Sequence, residues 1–134
     1  MTQLPSERWE HIAESGDFDL LDELLADDVI FESPIVHTPQ VGRAITKAYL
    51  VAAVQVLKSS ESRFVNRWFG EQSAVLELES RIDGVTIDAV DIIGWNWEGR
   101  INRFKVMVRP LKAISALHQA MGRQLATGGA KSQI

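Results

Sequence analysis

One carboxylate interrupts a segment that otherwise predicts a strand in the core. Asp91 lies in the middle of AVDIIGWNW, residues 89 to 97, where β-branched and aromatic residues favour extended structure. Burying a charged carboxylate is costly unless the charge is paired or neutralised. Because apolar surroundings raise the pKa of a carboxyl, Asp91 could donate a hydrogen bond to a ligand or act as a general acid or base. The alternative is a structural residue, hydrogen-bonded to Trp9, Tyr49 or a backbone group.

Histidines are the other side chains that could exchange protons near neutral pH. His37 lies in the loop segment SPIVHTPQVG, from which it could act as a base at a pocket mouth. His118 lies on the last predicted helix and could cap a pocket, whereas His11 is predicted at the surface. The three histidines lack the spacing of a metal site, and the chain has no cysteine. We therefore predict no metal and no other cofactor, since no phosphate-binding loop or dinucleotide fingerprint is present either.

The composition excludes several classes of function. The chain has 134 residues, of which 46% are hydrophobic and 24% charged, as is typical of one soluble globular domain. A net charge of -4 argues against a nucleic-acid partner, which would need clustered basic charge. No secretory signal is visible, and no segment approaches the roughly 18 apolar residues of a membrane-spanning helix. We expect no membrane partner and a cytoplasmic location.

Four helices and four strands must position these residues. The predicted helices are one with Ser6 as its N-cap and Gly16 as its end, one capped by Asp17 over FDLLDELLA, one over residues 43 to 58, and one that begins near residue 110. Between the second and third helices, VIFES reads as a short extended piece and residues 34 to 42 as a loop. The predicted strands are SRFVNRWFG, SAVLELESRI, VTIDAVDIIGWNW and INRFKVMVRP.

Short turns join the strands, so the strands are predicted to form an antiparallel meander. Asp83-Gly84 is a strong hairpin signal, and Glu98-Gly99 marks a second turn. Helices before and after such a sheet predict an α+β fold with the helices on one sheet face. A twisted sheet around a long helix leaves a conical space that can hold a ligand.

Strand alternation predicts which side chains face this space. In the third strand Asp91 shares a face with Ala89, Ile93, Trp95 and Trp97, and this face is the more apolar one. The corresponding rows of the second and fourth strands are Leu76, Leu78, Ser80 and Ile82, and Phe104, Val106 and Val108. Acids on the outer face of the second strand and bases on that of the fourth are predicted to form cross-strand ion pairs.

Aromatic side chains are expected around the ligand. Trp9 and Trp95 are predicted to line the pocket, with Trp68 as a further candidate and Trp97 at the rim, although core packing explains them equally well. Tyr49 is the only tyrosine. On the inward face of the long helix its hydroxyl needs a partner, and Asp91 is the natural one.

Two stretches resemble the nuclear transport factor 2-like superfamily, which includes the SnoaL-like polyketide cyclases and the ketosteroid isomerases. ESGDFDLLDELLADDVIFESPIVHTPQVGRAITKAYL contains, in family order, a Gly-Asp helix start, an acidic-x-Pro strand and a helix start with Gly42 and Ile45. VDIIGWNWEGRINRFKV resembles the Asp-bearing strand and Gly-Arg-Ile turn that follow. The resemblance covers about residues 6 to 110.

The resemblance implies a fold and an assembly. It implies a cone-shaped barrel, in which a curved antiparallel sheet wraps around a long helix, with two N-terminal helices and an extra C-terminal helix. We expect a single SnoaL-like domain over residues 1–126, with 127–134 as a flexible tail. The family often forms homodimers through the outer sheet face, and we expect the same here.

The ketosteroid isomerase pattern carries over at one position of three. Ser33 stands where that family has its base, an Asp before a Pro, and Trp9 stands where it has an oxyanion-hole Tyr. Asp91 matches the oxyanion-hole Asp. A serine cannot serve as a carboxylate base, so ketosteroid isomerase activity is not expected. Epoxide-hydrolase-like chemistry would need an Arg deep in the pocket, where the last strand's inward row is apolar.

The residues and the resemblance together predict binding of a small, mostly apolar molecule. Cofactor-free isomerase, dehydratase or cyclase chemistry would use Asp91, with His37 as the second candidate catalytic residue. The predicted pocket lining is Trp9, Ser33, Tyr49, Leu78, Ala89, Ile93, Trp95, Phe104, Val106 and His118. The alternative is a non-catalytic ligand-binding or assembly module of the same fold with a structural Asp91.

Overall fold

The computed structural model describes residues 3–58 and 61–127. The helical elements are α1 (Pro5–Ser15), a 3-10 turn (Phe18–Leu20), α2 (Leu21–Leu24), α3 (Arg43–Lys58) and α4 (Leu111–Thr127). The strands are β1 (Leu25–Glu32), β2 (Gln40–Val41), β3 (Arg63–Phe69), β4 (Ser73–Ile82), β5 (Val85–Trp95) and β6 (Ile101–Arg109). The predicted flexible tail lies outside the described residues except for Thr127, which ends α4.

The strands form one curved, open sheet in the order β2-β1-β6-β5-β4-β3. The predicted meander is present, since β3 to β6 pair antiparallel in chain order. Over the ranges 3–58 and 61–127 the sheet has six strands instead of four, because β1 pairs parallel with β6 and β2 pairs antiparallel with β1. Helices α3 and α4 contact each other and the sheet. The predicted α+β class and cone fold are confirmed.

The N-terminal helices differ from the prediction in their boundaries. Leu4, not Ser6, precedes α1, because Pro5 occupies the first helical position, where its fixed φ and missing N–H suit a helix start. Gly16 ends α1 in the left-handed conformation, as predicted, with φ 74°. The second helix is only four residues long. Leu25, expected within it, is fully buried in β1 and pairs with Ile101 of β6.

The predicted hairpin at Asp83-Gly84 is confirmed. Both residues have positive φ, 50° and 80°, as a type I′ turn requires. The turn between β5 and β6 is longer, and the Asn96 side-chain oxygen accepts backbone hydrogen bonds from Glu98 and Arg100. The loop predicted over residues 34 to 42 contains the short strand β2 at its end.

Ion pairs on the outer sheet face join other partners than expected. The acidic strand β4 and the basic strand β6 do not touch, because β5 lies between them. Glu79 of β4 pairs with Arg63 of β3 at 3.3 Å, and Arg109 of β6 pairs with Asp88 of β5 at 2.8 Å. Among the described residues, the ion pairs between strands therefore join adjacent strands.

Candidate functional site

A cavity of about 480 Å³ lies between the inner sheet face and helices α1, α3 and α4. Its wall is mainly apolar, with α1 contributing Trp9, α3 contributing Tyr49 and α4 contributing Leu117 and Met121. The strand residues that we predicted to face inward and that do line it include Leu78, Ala89, Asp91, Phe104, Val106 and Val108. This size and character fit a small organic ligand.

Asp91 is the one carboxyl that is both buried and part of this wall in the described part of the chain. It is 6% exposed, and the Trp9 indole Nε1 donates a hydrogen bond to its Oδ2 at 3.2 Å. The two residues come from β5 and α1 and are 82 positions apart in sequence. Within residues 3–58 and 61–127, no hydrogen bond is made by the other oxygen, Oδ1.

Burial raises the pKa of Asp91 to about 7, because removal from water disfavours the charged form. The Trp9 hydrogen bond lowers this pKa, whereas the negative charge of Glu10 raises it further. A group with a pKa near neutrality holds both protonation states at working pH, as a general acid or base needs.

The Trp9 contact also orients the carboxyl proton. An indole N–H can only donate, so it requires a lone pair on Oδ2 in both protonation states. The proton of the neutral acid is therefore favoured on Oδ1. Asp91 can present an O–H donor when neutral and an acceptor when ionised, at an oxygen that makes no hydrogen bond to the described residues.

Four aromatic rings hold this arrangement in place. Phe104 packs edge-on against Trp9 with the ring centroids 5.1 Å apart, and Phe31 lies 6.2 Å from Phe104. Phe31 in turn stacks on Tyr49 at 5.5 Å. No hydrogen bond joins the Tyr49 hydroxyl to Asp91, so the predicted pairing is wrong. The indole of Trp9 takes that position instead.

Ser33 lines the cavity and also fixes the loop that follows β1. Its Oγ accepts backbone hydrogen bonds from Ile35 at 3.2 Å and from Val36 at 2.9 Å. A side-chain oxygen used in this way stabilises the turn at the Ser-Pro step. The Ser33 hydroxyl can still donate a hydrogen bond to a ligand.

Several predicted pocket residues do not line the cavity. Ile93 and Trp95 do lie on the inner sheet face, but they are buried among core side chains beyond the end of the cavity. His118 is exposed, because the helical period that turns Leu117 and Met121 inward places it on the other side of α4. His37, predicted as the second candidate catalytic residue, is exposed in the loop and contributes nothing to the wall.

The other two tryptophans, which were predicted at the pocket wall or its rim, are exposed. Trp97 lies beyond the end of β5 and is 81% exposed. Trp68 is 55% exposed because β3 contains an irregularity between Phe64 and Asn66. The extra residue reverses the alternation, so Trp68 faces outward and Arg67 faces the cavity.

Sequence reasoning missed the polar end of the cavity. Its members are Glu14, Lys58, Ser62, Arg63 and Arg67. All of them are exposed, and they come from the ends of α1 and α3 and from β3 or the residue before it. The only signal in the sequence was the pair of arginines in the strand segment SRFVNRWFG. Because the strand is irregular, alternation does not show which sheet face these arginines occupy.

Two general features of the described residues concern membranes and metals. None of the helices in ranges 3–58 and 61–127 is long and apolar enough to cross a membrane. In the same ranges, no three His, Asp or Glu side chains gather in a group that could hold a metal ion.

Comparisons with known proteins agree with this architecture. The crystal structure of a steroid delta-isomerase from Pseudomonas aeruginosa is 29% identical, with a TM-score of 0.88 over 95% of this chain and 93% of that one. An uncharacterised protein with a cystatin-like fold from Silicibacter pomeroyi is 30% identical, with a TM-score of 0.85 over 93% of this chain and 87% of that one.

More distant structures share the fold alone. A putative SnoaL-like polyketide cyclase from Shewanella putrefaciens is 15% identical, with a TM-score of 0.61 over 92% of this chain and 84% of that one.

No functionally curated protein matches the sequence. The sequence profile of the SnoaL-like domain matches residues 6–104. The chain therefore belongs to the SnoaL-like domain family, within the nuclear transport factor 2-like fold.

Proposed function

We propose that this protein binds a small, mostly apolar molecule in the cavity and that Asp91 acts on it as a hydrogen-bond donor or proton-transfer group. The observation that carries the proposal is the Asp91 carboxyl itself. It is buried in an apolar wall, one oxygen is held by Trp9, and its pKa lies at about 7. In a purely structural core, burial of such a carboxyl would lower the stability of the fold unless other contacts offset the cost of its desolvation.

The chemistry that suits this site is cofactor-free acid–base catalysis. A neutral Asp91 could donate its Oδ1 proton or a hydrogen bond to a carbonyl oxygen as the substrate enolises, with the proton lost from the neighbouring carbon passing to solvent water. Isomerisation, dehydration and cyclisation all have such a step. Similarity to a steroid delta-isomerase and, in fold, to a putative polyketide cyclase supports this reaction class. Because Ser33 replaces the expected carboxylate base, we do not propose ketosteroid isomerisation itself.

A second candidate function is non-catalytic ligand binding with a structural Asp91. The Trp9–Asp91 hydrogen bond favours it, since the carboxyl has an internal partner. Asp91→Asn separates the candidates, because the amide keeps an acceptor for Trp9 and a donor for a ligand but cannot transfer a proton. Loss of turnover with binding retained would assign proton transfer to Asp91.

Ligand binding in the cavity can be tested with the apolar fluorescent dye phenylnaphthylamine. We expect Ala89→Phe to weaken binding by roughly tenfold or more, because the phenyl group occupies the space beside Asp91. Thr86→Phe is the matched control on the outer face of the same strand, where Thr86 is exposed. Equal dye affinity for Ala89→Phe and the wild type, with folding verified by circular dichroism, would place the dye elsewhere and remove this support for the cavity.

We also propose a homodimer through the outer sheet face. This face carries an apolar patch, which we call the outer patch, made of Trp68, Val75, Val90, Ile92 and Met107. Trp68 and Met107 are 55% and 54% exposed. Contiguous apolar surface of this kind is typical of interfaces.

Charge selects the geometry of this dimer. Acids on β4, such as Glu77, and bases on β6, such as Lys105, lie among the residues of the outer patch on opposite sides of β5. A twofold axis parallel to β5 would place β6 of each copy over β4 of the other, so opposite charges would face each other.

Sedimentation equilibrium tests the dimer. We expect the wild type to have twice the mass of one chain and Ile92→Glu to be monomeric, because the new charge would be buried against the partner's outer patch. Leu111→Glu is the control, since Leu111 is 78% exposed at the start of α4, outside that patch. A wild-type protein that stays monomeric at micromolar concentrations would contradict the proposal.

A further inference from the structure

The mouth of the cavity is cationic although the chain as a whole is acidic. Of the described residues that line the cavity, the charged ones other than Asp91 are Glu14, Lys58, Arg63 and Arg67. Three cations and one acid therefore line the mouth of a chain with a net charge of -4, while Glu10 and Glu79 pair with Arg67 and Arg63 from outside the lining. A concave site with low-dielectric walls concentrates such a field toward an incoming charge.

Arg67 is held rigidly at this mouth. Its Nε and Nη2 donate to the two carboxylate oxygens of Glu10 at 2.8 and 2.6 Å, and Glu10 is only 13% exposed. This two-bond pairing fixes the plane of the guanidinium and neutralises Glu10. The Nη1 edge makes no hydrogen bond to any described residue, and it remains available to a ligand.

Lys58 and Arg63 provide the less committed charges. Lys58 Nζ donates to the backbone carbonyl of Glu14 at 3.2 Å and forms no ion pair with any acid among the described residues. Arg63 makes one 3.3 Å contact with Glu79, and both side chains are largely exposed, at 75% and 44%. Exposed pairs of this kind contribute little stability, so Arg63 can exchange partners readily.

We infer that the ligand of this protein is an amphipathic organic anion, with its apolar body in the cavity and its acidic group at the mouth against Lys58, Arg63 and Arg67. This inference rests on the proposed function and specifies its ligand class. It also sets the orientation, because the end of the ligand remote from its acidic group would lie toward Asp91. A neutral apolar molecule would gain nothing from the Lys58 charge, which forms no ion pair with the described residues, or from the free Nη1 edge of Arg67.

Two dyes with the same anilinonaphthalene frame test this inference. Anilinonaphthalene sulfonate carries a sulfonate that phenylnaphthylamine lacks, so their affinity ratio isolates the anionic group. We expect the wild type to prefer the sulfonate dye, and the double variant Lys58→Gln/Arg63→Gln to lose roughly fivefold in affinity for it. Affinity for the neutral dye should be unchanged, and added salt should weaken only the sulfonate dye.

Control variants keep the outcomes separate. Lys112→Gln removes an exposed charge that does not line the cavity and should leave the affinity ratio unchanged. If Lys58 only stabilises the end of α1, the double variant will change thermal stability but not the ratio of dye affinities, which overturns the inference. If both dyes bind the wild type with equal affinity and Ala89→Phe blocks both, the inference of an anionic ligand is also overturned. The proposed function would then stand. Failure of both dyes to bind counts against both proposals.

Discussion

Asp91→Asn is expected to raise the free energy of unfolding at pH 8 by about 4 kcal/mol, which is the stability equivalent of the shift in the Asp91 pKa from 3.8 to about 7. The folded protein binds the Asp91 proton more tightly than the unfolded chain does. At pH 8 the wild type must therefore keep an ionised carboxylate in an apolar wall. The amide has no charge to bury and still accepts the hydrogen bond from Trp9.

The pH dependence of this difference follows from linkage. Below pH 4 the carboxyl is neutral in both folded and unfolded chains, so wild type and variant should have similar stability. Between pH 4 and pH 7 only the folded state retains the proton, and wild-type stability falls relative to the variant by about 1.4 kcal/mol per pH unit. Above pH 7 the difference should be constant. Urea unfolding of both proteins across this range measures it.

A second aspartate on the same strand provides the control. Asp88 lies on the outer face of β5 and pairs with Arg109 at 2.8 Å, with its side chain 30% exposed. Asp88→Asn should change stability by less than about 1 kcal/mol, and in the destabilising direction, because it weakens a largely exposed ion pair. A difference between wild type and Asp91→Asn that does not vary with pH would mean that the pKa of Asp91 is the same in the folded and unfolded chains, and the acid–base proposal would fail.

The placement of Asp91 follows from local rules. Period-two alternation assigned it to the inward row of β5, and the buried residues Ile87, Ala89 and Ile93 share that row. The hairpin at Asp83-Gly84 fixed the register with β4, since those residues adopt the positive φ that Gly and Asp tolerate. The long helix also kept its predicted limits, because its apolar period is unbroken.

Other features depend on contacts between distant parts of the chain. The indole partner of Asp91 is 82 positions away, so the sequence left Trp9, Tyr49 and the backbone as alternatives and wrongly favoured Tyr49. The parallel pairing of β1 with β6 likewise has no local signature. The irregularity in β3 exchanged the expected faces of Trp68 and Arg67. The sequence therefore did not predict that Arg67 lies at the mouth of the cavity.

Phe104→Ala is expected to lower the free energy of unfolding by about 3–5 kcal/mol, the range measured for loss of a buried phenyl ring. Phe104 is 1% exposed, contacts the ring of Trp9 and lies next to Phe31. The space left by the ring would join the existing cavity, so neighbouring side chains would not close it. Phe69→Ala, at a ring that is 57% exposed on the same sheet, should cost less than about 1 kcal/mol.

The Phe104 variant also tests why Asp91 titrates near neutrality. Burial is the largest cause of its raised pKa, and Phe104 supports the Trp9 ring that covers the carboxyl. Removal of the phenyl ring should admit water and lower the pKa of Asp91 toward its ordinary value. The difference in unfolding free energy between Phe104→Ala and the double variant Phe104→Ala/Asp91→Asn should then vary less with pH than the difference between wild type and Asp91→Asn. Phe104→Leu, which refills most of the space, should restore that difference. If the pH dependence survives Phe104→Ala unchanged, the Phe104 ring does not control the Asp91 pKa, and the cause must lie with Glu10 or with the other side chains that bury the carboxyl.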